Sequence, residues 1–199
     1  MLLDNHRYFI INKPHQMVSQ FISTHDVKLL SDLCFNFPLG THAIGRLDNH
    51  SEGLLILTTD KRITRLLFLS KVPHKRVYLV QVNNTVSKEN IKKLQLGINI
   101  RIKTGVTYTT KPCAVEVVTN PEIFYELGDR LTAYSPFTWL LITITEGKFH
   151  QIRKMIAAIQ HKCKRLIRIS IEDLELNGLK SGGVMELDEK YFYKKLKIG

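Results

Sequence analysis

The chain reads as an α+β protein built on a largely antiparallel, mixed sheet with flanking helices. Three observations carry that expectation. Short apolar runs of strand length recur between turn residues along the chain, while helical periodicity is confined to three stretches. Strand mostly follows strand with no helix between, which disfavours a doubly wound parallel sheet.

The first strand is "YFIIN", Tyr8 to Asn12, stopped by Lys13-Pro14 because proline lacks the donor a ladder needs. "LLILTT", Leu54 to Thr59, is apolar on nearly every residue and reads as a buried strand. "RVYLVQV", Arg76 to Val82, alternates, with Tyr78, Val80 and Val82 on one face and Val77, Leu79 and Gln81 on the other. Further strands are expected over Ile98 to Thr104, Cys113 to Val118, Thr138 to Thr145, Arg165 to Ile171 and Gly183 to Leu187. Helices are expected over Lys61 to Leu69, over Ser87 to Leu96 with Ser87 as N-cap and Gly97 as stop, and over Gln151 to Gln160. The last carries Ile152, Met155, Ile156 and Ile159 at i, i+3, i+4 and i+7, leaving Arg153 and Lys154 off the stripe. Thr119 to Pro136 is the least patterned part and is expected to be a long loop over the sheet.

At 199 residues and 44% hydrophobic, the chain suffices for one domain or two small subdomains sharing an interface. No apolar run approaches the roughly 18 residues of a membrane span, and "MLLDNHRYF" lacks the pattern of a signal peptide, so a soluble, cytoplasmic protein is expected. Cys34, Cys113 and Cys163 form no C-x-x-C pair and are expected to be ordinary core residues. The histidines show neither H-x-x-x-H nor H-E-x-x-H spacing, so no metal site is expected.

The net charge of +11, from 29 Lys plus Arg against 18 Asp plus Glu, points to a polyanionic partner, nucleic acid before others. Its distribution is more telling than its size. Between Asp60 and Glu89 stand seven basic residues and no acid: Lys61, Arg62, Arg65, Lys71, Lys75, Arg76 and Lys88. From Gly147 to Ile171 there are again seven and no acid: Lys148, Arg153, Lys154, Lys162, Lys164, Arg165 and Arg168. Solvated surfaces ordinarily mix both signs, so a phosphate-binding surface is expected.

"HAIGRLDNHSEGLLILTTD", His42 to Asp60, sets Arg46 and Asp48 two residues apart just before the buried strand. Those residues fit a surface turn with an Asp cap, worth about 1 kcal/mol. Against that stands their place at the end of a strand expected to be buried, where catalytic groups are often displayed by a rigid scaffold.

"GRLDNHSEGLLILTTD" resembles the G-R-L-D-x-x-S/T-x-G-L-L-I/L-L-T-x-D signature of RsuA-type pseudouridine synthases, which modify uridines in ribosomal RNA. "NKPHQMVSQF", "KRVYLVQV", "EGKFHQIRKM", "KRLIRISI" and "LNGLKSGGVMEL" follow in the family's order and extend the resemblance over almost the whole chain. The pattern begins by Tyr8 and leaves no room for the family's usual S4-like RNA-binding domain, so 1–199 is expected to be one catalytic domain of the RluE-like branch. The chain departs from the family at Thr59 (usually Asn), at Lys13-Pro14-His15-Gln16 (usually K-P-x-G) and at "HQIR", His150 to Arg153, which is closer to RluA-type wording.

The resemblance implies a pseudouridine synthase fold of two subdomains around a central cleft. It also implies an isomerase acting on large-subunit ribosomal RNA as a monomer, and no cofactor, since the reaction has no net redox change. Asp48 matches the essential aspartate, which can attack C1′ or C6 or abstract the 2′ proton; all three routes stay open. Arg153 matches the cation that keeps it ionised, and Tyr78 the tyrosine that stacks on the target base. Leu166 matches a pocket-lining leucine, while Arg46 and Arg76 are assigned to phosphates or to bracing the loop. Lys75, Lys154, Arg165 and Arg168 complete the expected RNA-binding set. The alternative is a non-catalytic RNA-binding or ribosome-assembly protein on the same fold, against which intact Asp48, Tyr78 and Arg153 argue.

Overall fold

The computed structural model describes residues 6–69, 72–102, 105–128 and 136–199. In chain order its strands and helices are β1 (Tyr8–Lys13), β2 (His42–Ile44), β3 (Glu52–Thr58), α1 (Arg62–Thr64, continued by a π turn over Arg65–Leu69), β4 (Arg76–Asn83), α2 (Lys88–Leu96), β5 (Asn99–Arg101), β6 (Thr107–Thr109), β7 (Ala114–Val118), β8 (Phe137–Ile144), α3 (Gln151–Ala158), β9 (Cys163–Ile171), β10 (Leu174–Glu175), β11 (Val184–Leu187) and α4 (Glu189–Leu196). The fold is α+β with mostly antiparallel pairing, as the strand-after-strand pattern predicts. The chain forms two compact units, residues 1–74 with 170–199, and residues 75–169.

In the first unit β1 pairs antiparallel with β11 on one side and β3 on the other, and β2 pairs antiparallel with β3. Every residue of β1 and β3 is buried, which explains their unbroken apolar runs: both faces of the ladder are covered. Phe9 meets Phe35 and Phe37 edge-on at 5.5 and 5.7 Å, so aromatic side chains of the long 14–41 connection cover one face. Tyr8 packs against Phe192 of α4 at 4.5 Å. Sequence periodicity missed α4, whose "EKYFYKKL" offers only Phe192 and Leu196 as fully buried positions, four residues apart. Its start is explicit in the structure, where Asp188 Oδ1 accepts from Tyr191 N at 3.0 Å.

In the second unit β4 lies beside β9 and pairs antiparallel with β8, which pairs antiparallel with β7. Ser87 Oγ accepts from Asn90 N at 3.2 Å to cap α2, and Gly97 ends it at φ 99°, where a Cβ would stand 2.3 Å from the Thr110 carbonyl oxygen. The stripe Ile152, Met155 and Ile156 of α3, continued by Ile159 at its C-cap, is buried, each side chain contributing roughly 1.5–3 kcal/mol. The Ile98 to Thr104 strand is shorter than expected, and residues 103–104 lie outside the described part. The expected long loop contains a short turn of helix at Pro121–Ile123, with 129–135 outside the described residues.

One expectation is corrected. The cysteines are not core residues: Cys34 is exposed and Cys113 and Cys163 are half-buried. Burial pushes the Cys113 thiol up to about 11, and its Sγ sits 3.3 Å from the Leu94 carbonyl oxygen. The basic residues differ in their burial. Arg165 and Arg168 are buried, and exposed Arg62 is bound to Asp60. No helix among the described residues is long and apolar enough to cross a membrane.

Candidate active site

Asp48 stands in the connection between β2 and β3, in the first unit. Gly45 opens it at φ 71°, where a Cβ would come within 3.0 Å of the Phe68 ring, so only glycine fits without displacing that ring. Arg46 is exposed and Leu47 buried. Buried Ser19 ties Leu47 in both directions: Leu47 N donates to Ser19 Oγ at 3.0 Å, and Ser19 Oγ donates to Leu47 O at 2.9 Å. Ser51 N then donates to Asp48 O at 2.9 Å and closes a four-residue turn. Asp48 is thus half-exposed on a turn anchored immediately before it, at Leu47, and after it, by buried β3. The neighbouring Lys-Pro turn is held by Lys13, whose buried ammonium donates to the Pro14 and Met17 carbonyls. Gln16, at the family's glycine position, adopts φ 59°. Thr59 accepts from Arg7 N at 3.0 Å, so this departure serves the end of the sheet.

The other expected site residues belong to the second unit. Tyr78, on β4, is 8% exposed and pairs in register with Ile142 of β8. Arg76 opens β4 half-buried; burial pulls its guanidinium below the usual arginine value, Arg168 adds to the effect, and Tyr78 and Glu146 oppose it. These four groups therefore form one cluster. The Arg76 guanidinium passes over Gly147, where a Cβ would stand 2.6 Å from Nη1. That contact explains the Glu-Gly pair physically.

Glu146 is the knot of this loop. Its carboxylate accepts from the Tyr108 hydroxyl, from Lys111 N at 2.9 Å and from Gln151 Nε2 at 2.7 Å. The bond to Glu146, with burial, raises Tyr108 to about 12. Gln151 Oε1 in turn accepts from Lys148 N at 2.9 Å. The following helix α3 turns its apolar stripe inward and leaves Arg153 and Lys154 half-exposed. On β9, Leu166 is buried and Arg168 is 2% exposed, while Arg165 donates through Nη1 to Leu127 O at 2.9 Å. Of the cations assigned to RNA, Lys75 and Arg46 are exposed.

Sequence reasoning gave no role to Ser19, Glu146 or Asp60. Each lies inside a quoted motif, so fixed spacing was a usable signal, but their partners lie up to 133 residues away in the chain.

The chain belongs to the RNA pseudouridylate synthase family, whose model matches residues 7–158. It is 36% identical over 187 residues to ribosomal large subunit pseudouridine synthase E of Vibrio parahaemolyticus, covering 93% of this chain and 75% of that protein. It is 30% identical over 180 residues to ribosomal large subunit pseudouridine synthase B of Bacillus subtilis, covering 90% and 67% respectively. Among solved structures, a pseudouridylate synthase crystal structure superposes with a TM-score of 0.77 at 28% identity, covering 98% of this chain and 76% of that one.

Proposed function

We propose that this chain isomerises one uridine of large-subunit ribosomal RNA to pseudouridine, with Asp48 as the reacting carboxylate. One observation carries the reading: the similarity to ribosomal large subunit pseudouridine synthases runs over nearly the whole chain and includes the anchored Asp48 turn. The reaction breaks the N1–C1′ bond, turns the base and rejoins it through C5, and it needs neither redox partner nor energy input. Asp48 acts in its ionised form. Arg153 is assigned, on the family resemblance, to keep it so, and Tyr78 to receive the target base.

Turning a base out of folded RNA costs a few kcal/mol, offset by contacts to phosphates. The exposed cations Lys75, Lys162 and Lys164 suit that task better than Arg165 and Arg168, which are buried. The reading further assigns a monomer working in the cytoplasm without metal or organic cofactor.

The test is tritium release from large-subunit ribosomal RNA labelled at uridine C5, with purified protein and no added metal or nucleotide. Wild type releases tritium, and Asp48→Asn binds RNA without releasing it. Release by Asp48→Asn at a tenth or more of the wild-type rate refutes the assignment.

A further inference from the structure

We infer that Phe149 and His150 form a base-stacking platform for an unpaired nucleotide of the RNA, an inference that rests on the RNA-modifying function proposed above. Phe149 is 62% exposed and lies in the stretch from Gly147 to Ile171 that holds seven Lys or Arg and no acid. Its ring stacks on that of His150 at 3.9 Å and 18°. Lys154 Nζ stands 5.2 Å from its centroid, and Lys148 Nζ stands 4.7 Å from the Tyr108 ring.

The backbone that carries the pair is pinned by hydrogen bonds. His150 takes a left-handed backbone (φ 53°, ψ 30°) at the start of α3, and its carbonyl accepts from Lys154 N at 3.0 Å. Lys148 is bonded in both directions to Gln151, through Gln151 Oε1 at 2.9 Å and Gln151 N at 3.0 Å. Gln151 is itself tied to Glu146 at 2.7 Å. A ring already stacked on its neighbour loses less entropy when a flat partner covers it than a freely rotating one.

Charge selects the partner. An aromatic face with the Lys154 ammonium beside it suits a ligand that offers a π-face and a phosphate together, as each nucleotide of single-stranded RNA does. The flexible lysine stem lets the Lys154 ammonium pass from the ring to the phosphate as a base takes its place. Tyr78 is buried, so the platform takes a nucleotide other than the one assigned to Tyr78.

The test is fluorescence anisotropy with the full chain, using end-labelled octaadenylate and the same ribose-phosphate chain without bases. Wild type prefers octaadenylate. Phe149→Ala lowers that affinity about five- to 140-fold, the range of one aromatic-base stack, and leaves binding of the base-free chain unchanged. Phe149→Trp keeps the wild-type preference, which separates a lost stack from a lost fold. Equal binding of both chains by wild type overturns the platform. So does a Phe149→Ala protein that binds octaadenylate as wild type does, or that loses both chains alike, the former being the outcome for a protein-docking face. Octaadenylate contains no uridine, so the readout is independent of turnover. A wild-type protein that shows the Phe149-dependent preference but converts no ribosomal uridine overturns the proposed function and leaves the platform standing.

Discussion

Ser19 and Leu47, 28 residues apart, are joined by a reciprocal pair of hydrogen bonds in which one buried hydroxyl satisfies both the N–H and the C=O of the residue preceding Asp48. A side chain here does the work of a neighbouring strand, fixing the peptide unit from which Asp48 projects.

Ser19→Ala is therefore expected to lower stability by about 1–2 kcal/mol, for two bonds lost from a buried site. Turnover falls at least tenfold while RNA affinity changes less than twofold, because misplacing a reacting group costs rate before it costs binding. Ser19→Thr, which keeps the hydroxyl, restores most of the rate. Single-turnover kinetics beside an RNA titration read both quantities. An Ala variant with wild-type kcat removes Ser19 from any positioning role.

Arg153→Leu is expected to inactivate as Asp48→Asn does, by leaving the carboxylate without the cation assigned to it. The two substitutions are non-additive: the double variant is no slower than Asp48→Asn alone. Tritium release from all four proteins closes the cycle, and independent, multiplying losses sink the pairing.

Lys162 and Lys164 are exposed at the start of β9, whereas Arg165 beside them is buried on the Leu127 carbonyl. Replacing both lysines by Ala should flatten the slope of log K against log salt by about one to two units and weaken RNA binding. Turnover at saturating RNA stays near wild type. An unchanged slope marks these lysines as a solvated face. Arg165→Ala acts differently, lowering the melting temperature because a buried carbonyl loses its donor.

Asp60 gives a pH signature. Burial pushes its carboxyl up, but Arg62 through side chain and backbone, with the Tyr193 and Tyr8 hydroxyls, overrides that and holds it well below the usual carboxylate range. A carboxyl whose folded pKa is depressed contributes stability above its unfolded pKa of about 4 and loses it as pH falls toward the folded value. Asp60→Asn should therefore melt below wild type at pH 7, with the gap constant above about pH 5 and narrowing below about pH 4. Calorimetry across that range decides it, since a gap independent of pH shows that the fold leaves the Asp60 carboxyl unshifted.

Much of the architecture was legible along the chain, because an apolar period reports directly which face of a local element is covered. The unbroken run of β3, the α2 caps at Ser87 and Gly97 and the inward stripe of α3 all depend on residues within a few positions of one another, whereas β4 alternates in sequence yet is buried on both faces from Tyr78 to Val82. The motif around Asp48 was legible for the same reason, as a short, contiguous pattern. What only tertiary structure decided are relations set by sheet register and chain return. Ser19 meets Leu47, Asp60 collects hydroxyls from Tyr8 and Tyr193, and Gly147 lies under Arg76. Burial of charge belongs with these: Arg165 reads like its solvated neighbours Lys162 and Lys164, because linear sequence marks the charge but not the distant carbonyl that lets a guanidinium leave water.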